Sequence, residues 1–316
     1  MGKKDITEKH LEAFADVFAD IMNATLFFGT DLKVHPDDLA DAAPRTMYKS
    51  AGDIREQERD VAKFWKRGNV VLCLLGLENQ TEIDPLMPPR VQSYEGGDVR
   101  YQIVRRDEEI RAARQAENDA RLKELQKKKL YPVVTVVLYY GMGHWTGPKS
   151  TLECMDIVPK LLPYVNDCHI NVVEVAWLTE AQRAALTSDF KIVADYFYQM
   201  RVNKEYDPPI ETIKHVDAVL GLMYALTGNR YFEEVQVRAQ ERIDRGEQLT
   251  MRDFFGEAMS RSRSEGINIG RSEGISIGRN EGITIGEQRA RKTIMENLIA
   301  GGMDPQQAAR YTGLNG

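Results

Sequence analysis

The chain has 316 residues, 42% hydrophobic and 28% charged, enough for one sizeable core and a smaller appendage. Its net charge of −6 weighs against a general nucleic-acid binder, and its longest apolar runs, about ten residues, are half a membrane span. The amino-terminal stretch has no apolar signal core, and Cys73, Cys154 and Cys168 are odd in number and widely separated, as expected for reduced cytoplasmic thiols.

In chain order, residues 7–28 predict an amphipathic helix: Thr7 can cap it, and Leu11, Phe14, Phe18, Met22 and Leu26 recur at helical spacing. Pro36 and Pro44 mark loops, and Met47-Tyr48-Lys49 is a short candidate strand. Residues 59–80 predict a hairpin turning at Arg67-Gly68. Pro85, Pro88 and Pro89 break the chain before a long charged helix over about 89–127, with Gly96-Gly97 as its weak point. Residues 131–140 predict a second apolar strand, 150–163 a helix, and 170–177 a third strand. Helices are expected over 180–201, 209–227, 229–244 and 250–262. That order is α/β.

Three eight-residue repeats follow over 264–287, with glycine at 266, 270, 274, 278, 282 and 286. On a helix these glycines form a small stripe for close approach of another helix. They cost on the order of 5 kcal/mol against alanine, which packing must offset. Strict alternation, with every isoleucine at an odd position, is a clean strand pattern and is what the local pattern alone would choose; a flexible linker is a third option. A helix through 295–300, stopped by Gly301-Gly302, and a second one capped by Asp304 with Pro305 at its first position close the chain.

The hairpin carries the chemistry. Asn69-Val-Val-Leu-Cys-Leu-Leu-Gly-Leu77 is apolar enough to be buried on both faces of a sheet. Glu78 ends this run, where a carboxylate is costly unless a cation or hydrogen bond meets it. Gln80, two residues on, projects to the same side. Pairing of the hairpin brings Asp60 beside Glu78. Two carboxylates at one mouth can hold Mg²⁺ and leave positions for water and phosphate.

Asp60 followed by Glu78-x-Gln80 after an apolar strand resembles the variant PD-(D/E)xK signature of the Rpn family, the recombination-promoting nucleases and YhgA-like transposases. Phe18-Ala-Asp20-Ile-Met-Asn23 resembles that family's first core helix, and Pro132 to Gly141 its central strand. Ser188 to Phe197 and the Glu-Gly repeats after Glu265 also fit, so the resemblance covers most of the chain, and because similar tails look helical it favours a helical oligomerisation stalk over 264–287.

The resemblance implies a restriction-endonuclease-like α/β core, a small mixed sheet flanked by helices, and a Mg²⁺-dependent DNA endonuclease of little sequence preference. Other divalent ions would also serve. Asp60, Glu78 and Gln80 would be catalytic, with Asp60, Glu78 and the backbone carbonyl of Asn79 as metal ligands. Most relatives of the superfold carry lysine where Gln80 stands, and an amide orients water without bringing charge. Asp20 or Asn23 would support the site by orienting water or a second ion. Recombination, transposition or phage defence would be the setting.

Residues 105–130 carry nine Lys/Arg against six acids and end in Lys127, Lys128 and Lys129, which can contact a DNA backbone. A solvated, salt-bridged helix is the plainer account. From residue types alone, Asp60 pairing with Arg55 or Arg59, and Glu78 and Gln80 emerging into water, would be the commoner outcome; the resemblance reverses that preference. Tyr139, Tyr140 and Trp145 are more often packing residues than base-stacking ones.

The expected division is a nuclease-like domain over 1–245, a helix and repeat oligomerisation segment over 246–290, and a short helical module over 291–316. Expected partners are DNA and further copies of the chain through 264–287, with no membrane, in the cytoplasm. A catalytically silent interaction protein acting through its repeat tail is the alternative.

Overall fold

A computed structural model describes residues 11–42, 45–50, 53–255, 290 and 292–313. The repeats over 264–287 and the Thr7 cap lie outside the described residues. The chain divides into two compact units, Met1–Arg252 and Asp253–Gly316.

The first unit is α/β, with a five-stranded mixed sheet in the order β1-β4-β5-β6-β7. These strands are β1 Leu39–Asp41, β4 Val61–Arg67, β5 Val70–Gln80, β6 Val133–Tyr139 and β7 Asn171–Glu174. β4 and β5 form the expected hairpin, with Arg67 opposite Val70 across a two-residue turn. Gly68 takes φ +59° there, a conformation that favours glycine. β5 and β6 run parallel, as do β6 and β7. A parallel step needs a long crossover, supplied between β5 and β6 by α2 Met87–Gln115 and α3 Asp119–Lys127.

β5 is the central strand, and Cys73 to Asn79 are buried without the alternation of a one-sided sheet. Its two faces meet different partners: Glu78 contacts Arg90 of α2, whereas Asn79 contacts Glu12 ahead of α1 Ala15–Ala24. The sheet is thus flanked by helices on both sides. Phe18, Ile21 and Met22 of α1 and Leu75, Leu77 and Val136 to Leu138 of the strands are fully buried. Burying side chains of this size contributes roughly 1.5–3 kcal/mol each. Lys63 on β4 is buried opposite Asp41 of β1, and its Nζ donates a hydrogen bond to the Asp41 carboxylate. Tyr139 packs edge-on against Trp145 in the core, and Tyr140 is buried as well.

Several elements differ from expectation. The short strand at Met47 is β2 Arg45–Ser50, which pairs with β3 Asp53–Glu58 in a separate two-stranded sheet. The long helix keeps its form through Gly96-Gly97 and breaks instead at Ala116–Asn118. There Glu117 takes φ +50° and the Asn118 side chain accepts the Arg121 N–H to start α3. Residues 150–163 form two 3₁₀ turns, Leu152–Cys154 and Pro159–Tyr164, because Pro159 and Pro163 lack the N–H an α-helix needs. The third strand ends at Glu174 and continues as a 3₁₀ turn, Val175–Trp177.

The helix expected over 180–201 is split into α4 Glu180–Ala185 and α5 Phe190–Val202. α6 Val216–Thr227 starts well after Pro208-Pro209, and α7 Arg230–Asp244 follows directly. In the second unit, residues 292–300 are helical and α8 Pro305–Thr312 begins at Asp304, whose carboxylate accepts the Gln306 and Gln307 N–H groups. Among the described residues no helix is long and apolar enough to cross a membrane.

Candidate active site

The ladder pair Val61↔Leu77 is the last between β4 and β5, so Asp60 stands level with Glu78 at the end of the hairpin. The Asp60 carboxylate accepts the main-chain N–H of Asn79 at 2.6 Å, taking the place a ladder carbonyl would fill. Leu74 N–H donates to Pro132 O, and Tyr140 N–H donates to Gln80 O, so even-numbered residues of β5 serve β6. Odd-numbered residues, Asn79 among them, therefore aim N–H and C=O toward β4 and Asp60.

Glu78 is 3% exposed, and its charge is met. Arg90, from the first turns of α2, donates through Nη2 to Glu78 Oε1 at 2.7 Å. The same guanidinium donates to Asp84 at 2.7 Å and to the Tyr94 hydroxyl at 3.1 Å. The Gln80 amide nitrogen also donates to Glu78 Oε1, at 3.4 Å. Burial pulls the Arg90 pKa down, but Glu78, Asp84 and Tyr94 more than offset that and hold it above its ordinary value. Burial, with the negative charges of Glu78 and then Asp60, pushes the Tyr94 hydroxyl up to about 12, so it is a neutral phenol at physiological pH. One tyrosine thus feels both carboxylates.

Asp60, Glu78, Gln80 and Asn79 come together as the spacing predicts. Asp20 and Asn23 are committed elsewhere. The Asp20 carboxylate accepts from Thr187 N–H, Thr187 Oγ1 and Ser188 N–H at 2.8–3.0 Å, fixing the break between α4 and α5. The Asn23 amide clamps the Val34 main chain through both its N–H and C=O. Their helical positions are as expected, but backbone groups claim their polar atoms. Lys127 ends α3, and Lys128 and Lys129 follow it.

Three residues of the site escaped the sequence reading: Arg90, Tyr94 and Glu12. Glu12 is fully buried and accepts the Asn79 side-chain N–H at 2.7 Å and the Tyr140 hydroxyl at 2.9 Å, anchoring the reverse face of β5. Arg90 and Tyr94 carried a usable signal. Pro88-Pro89 marks a helix start, and polar residues at i and i+4 just inside it face one another.

Among the described residues no three His, Cys, Asp or Glu side chains gather into a metal cage. The donor set here is two carboxylates and a main-chain carbonyl, hard oxygens of the kind Mg²⁺ takes while retaining several waters. In comparisons with known proteins, no protein-family model, curated protein or solved structure matches the chain.

Proposed function

We propose that the chain is a divalent-metal-dependent DNA endonuclease of the Rpn type, on a restriction-endonuclease-like core. One observation carries the reading: Asp60 and Glu78 share the mouth at the end of β5 with Gln80, beside an arginine. Asp60, Glu78 and the Asn79 carbonyl would hold Mg²⁺. When bound, the ion polarises a phosphoryl oxygen and acidifies water. Gln80 would orient a water there by hydrogen bonds. Arg90, 38% exposed in its side chain, brings the positive charge that Gln80 lacks to the phosphate oxygens. The repeat tail would join copies of the chain, in a cytoplasmic setting tied to recombination, transposition or phage defence.

The test is nicking of supercoiled plasmid with Mg²⁺, abolished by EDTA. Asp60→Asn and Glu78→Gln keep their hydrogen-bond acceptors and remove the charge, so both fold and both lose roughly a hundredfold or more in rate. Nicking that survives both substitutions removes the site assignment.

A second reading has its own support. The Arg90–Glu78 ion pair already neutralises one carboxylate, as in a catalytically silent protein that acts through its tail. Absence of any Mn²⁺ binding by the native chain would favour it.

A further inference from the structure

We infer that the cleft between α2 and the segment Lys128–Tyr131 that follows α3 is a phosphodiester-binding groove that guides a nucleic-acid strand toward the carboxylate mouth. This rests on the nucleic-acid part of the reading above. The cleft, a cavity of about 170 Å³, is lined by Arg105, Arg106, Lys128 and Lys129 against the single carboxylate of Glu109. That carboxylate is already met by Arg121 at 3.3 Å. A chain of net charge −6 has here a local excess of cations, the footprint a polyanion needs.

Two further features favour a nucleic acid over a small anion. Tyr101, 57% exposed, lies at the cleft with Tyr131, giving aromatic faces beside the cations. Alternation of stacking surface and positive charge is how proteins hold single strands. The second feature is alignment. At 100° per residue, Arg90, Tyr101 and Arg105 fall within about 60° of one another around α2, and Arg90 to Arg105 spans about 22 Å of axis. The cleft and the carboxylate mouth therefore lie along one flank of one helix, several nucleotides apart.

Arg106 has a different task. Its guanidinium donates to the Leu125 and Gln126 carbonyls at 3.2 and 2.9 Å, tying α3 to α2. It is therefore left intact in the test.

The experiment measures anisotropy of fluorescein-labelled single-stranded and duplex oligonucleotides with the full chain, over a range of salt. The triple variant Arg105→Gln, Lys128→Gln, Lys129→Gln should keep its thermal unfolding and lose about tenfold or more in affinity. Its slope of log affinity against log salt should fall by about two, the value for three single-strand phosphate contacts. Tyr101→Ala should weaken the single strand roughly tenfold and leave the duplex nearly unchanged if a base stacks there. Equal loss for both oligonucleotides assigns the groove to the backbone alone. Unchanged affinity and slope in the triple variant, or no binding by the native chain, overturns the groove. Binding that follows these changes without any Mg²⁺-dependent nicking removes the endonuclease reading and leaves the groove standing.

Discussion

Arg59 and Asp60 are neighbours in sequence and belong to two ion clusters of opposite character. Arg59 is 1% exposed, pairs with Asp98 of α2, and approaches Thr135 Oγ1 at 3.4 Å. Burial lowers its pKa, while Glu95, Glu78 and Tyr94 oppose that. Asp60 instead faces the mouth with Glu78 and the half-exposed Arg90. Both clusters join a guanidinium to carboxylates across the same helix and sheet. The sealed one fixes α2 against the strands; the other keeps its guanidinium 38% exposed over the buried Glu78. The two pairs differ in how far solvent reaches the guanidinium, 1% exposed in Arg59 against 38% in Arg90.

Removing the sealed arginine should have the largest effect. Arg59→Ala leaves Asp98, 13% exposed, without its cation and empties a buried site, and is expected to cost about 3–5 kcal/mol in urea unfolding followed by circular dichroism. A cost near that of an exposed pair, under about 1 kcal/mol, would erase the contrast between the clusters.

Next comes the floor beneath Arg59. A Cβ on Gly76 would stand 2.8 Å from both Cδ and Nη1 of Arg59. Gly76→Ala should therefore cost about 1–3 kcal/mol by overpacking. In an Arg59→Met background much of that cost should vanish, so a double-mutant cycle sharpens the assignment. Additive losses would mean that glycine serves the strand for another reason.

The open cluster should respond differently. Arg90→Ala removes a cation that already occupies Glu78, so Mn²⁺ binding, read by titration calorimetry, should tighten by roughly tenfold while nicking slows. Unfolding should also suffer, by about 1–3 kcal/mol, because Glu78 is 3% exposed and loses its cation, although the exposed arginine side moderates the loss. Destabilisation as large as that of Arg59→Ala would make the Arg90–Glu78 pair structural and strengthen the silent alternative.

The hairpin was legible because three local signals agree: the apolar run of β5, Gly68 at the turn, and polar residues two apart at its end. They put Asp60 level with Glu78 without help from the rest of the chain. What the residues meet was not legible. Asp20 lies on the helix as expected, but its partner Thr187 is 167 residues away. Arg90 reaches Glu78 across the Pro85–Pro89 break, which reads locally as a boundary rather than as a contact. The helix break fell at Glu117 and not at Gly96-Gly97, since packing of α2 on β6 and the Asn118 cap outweigh glycine's modest cost. Sequence periodicity fixes faces; tertiary packing fixes partners.

The smallest effect isolates the interior of the sealed cluster by pH. Glu95 accepts the Thr135 N–H at 2.9 Å, and burial raises its pKa above the ordinary value, more than that hydrogen bond and Arg59 lower it. The native state therefore holds the Glu95 proton more tightly than the unfolded chain. Stability from this group is fully present below the unfolded pKa, near the ordinary carboxylate range, and is lost as pH rises through the raised folded value. Glu95→Gln keeps the acceptor for Thr135 and cannot ionise. Its stability relative to the native chain should accordingly grow as pH rises through that window, by less than the loss at Gly76. If the glutamine variant instead falls behind as pH rises, ionised Glu95 is the counter-charge that holds Arg59, and electrostatic pairing rather than desolvation governs the sealed cluster.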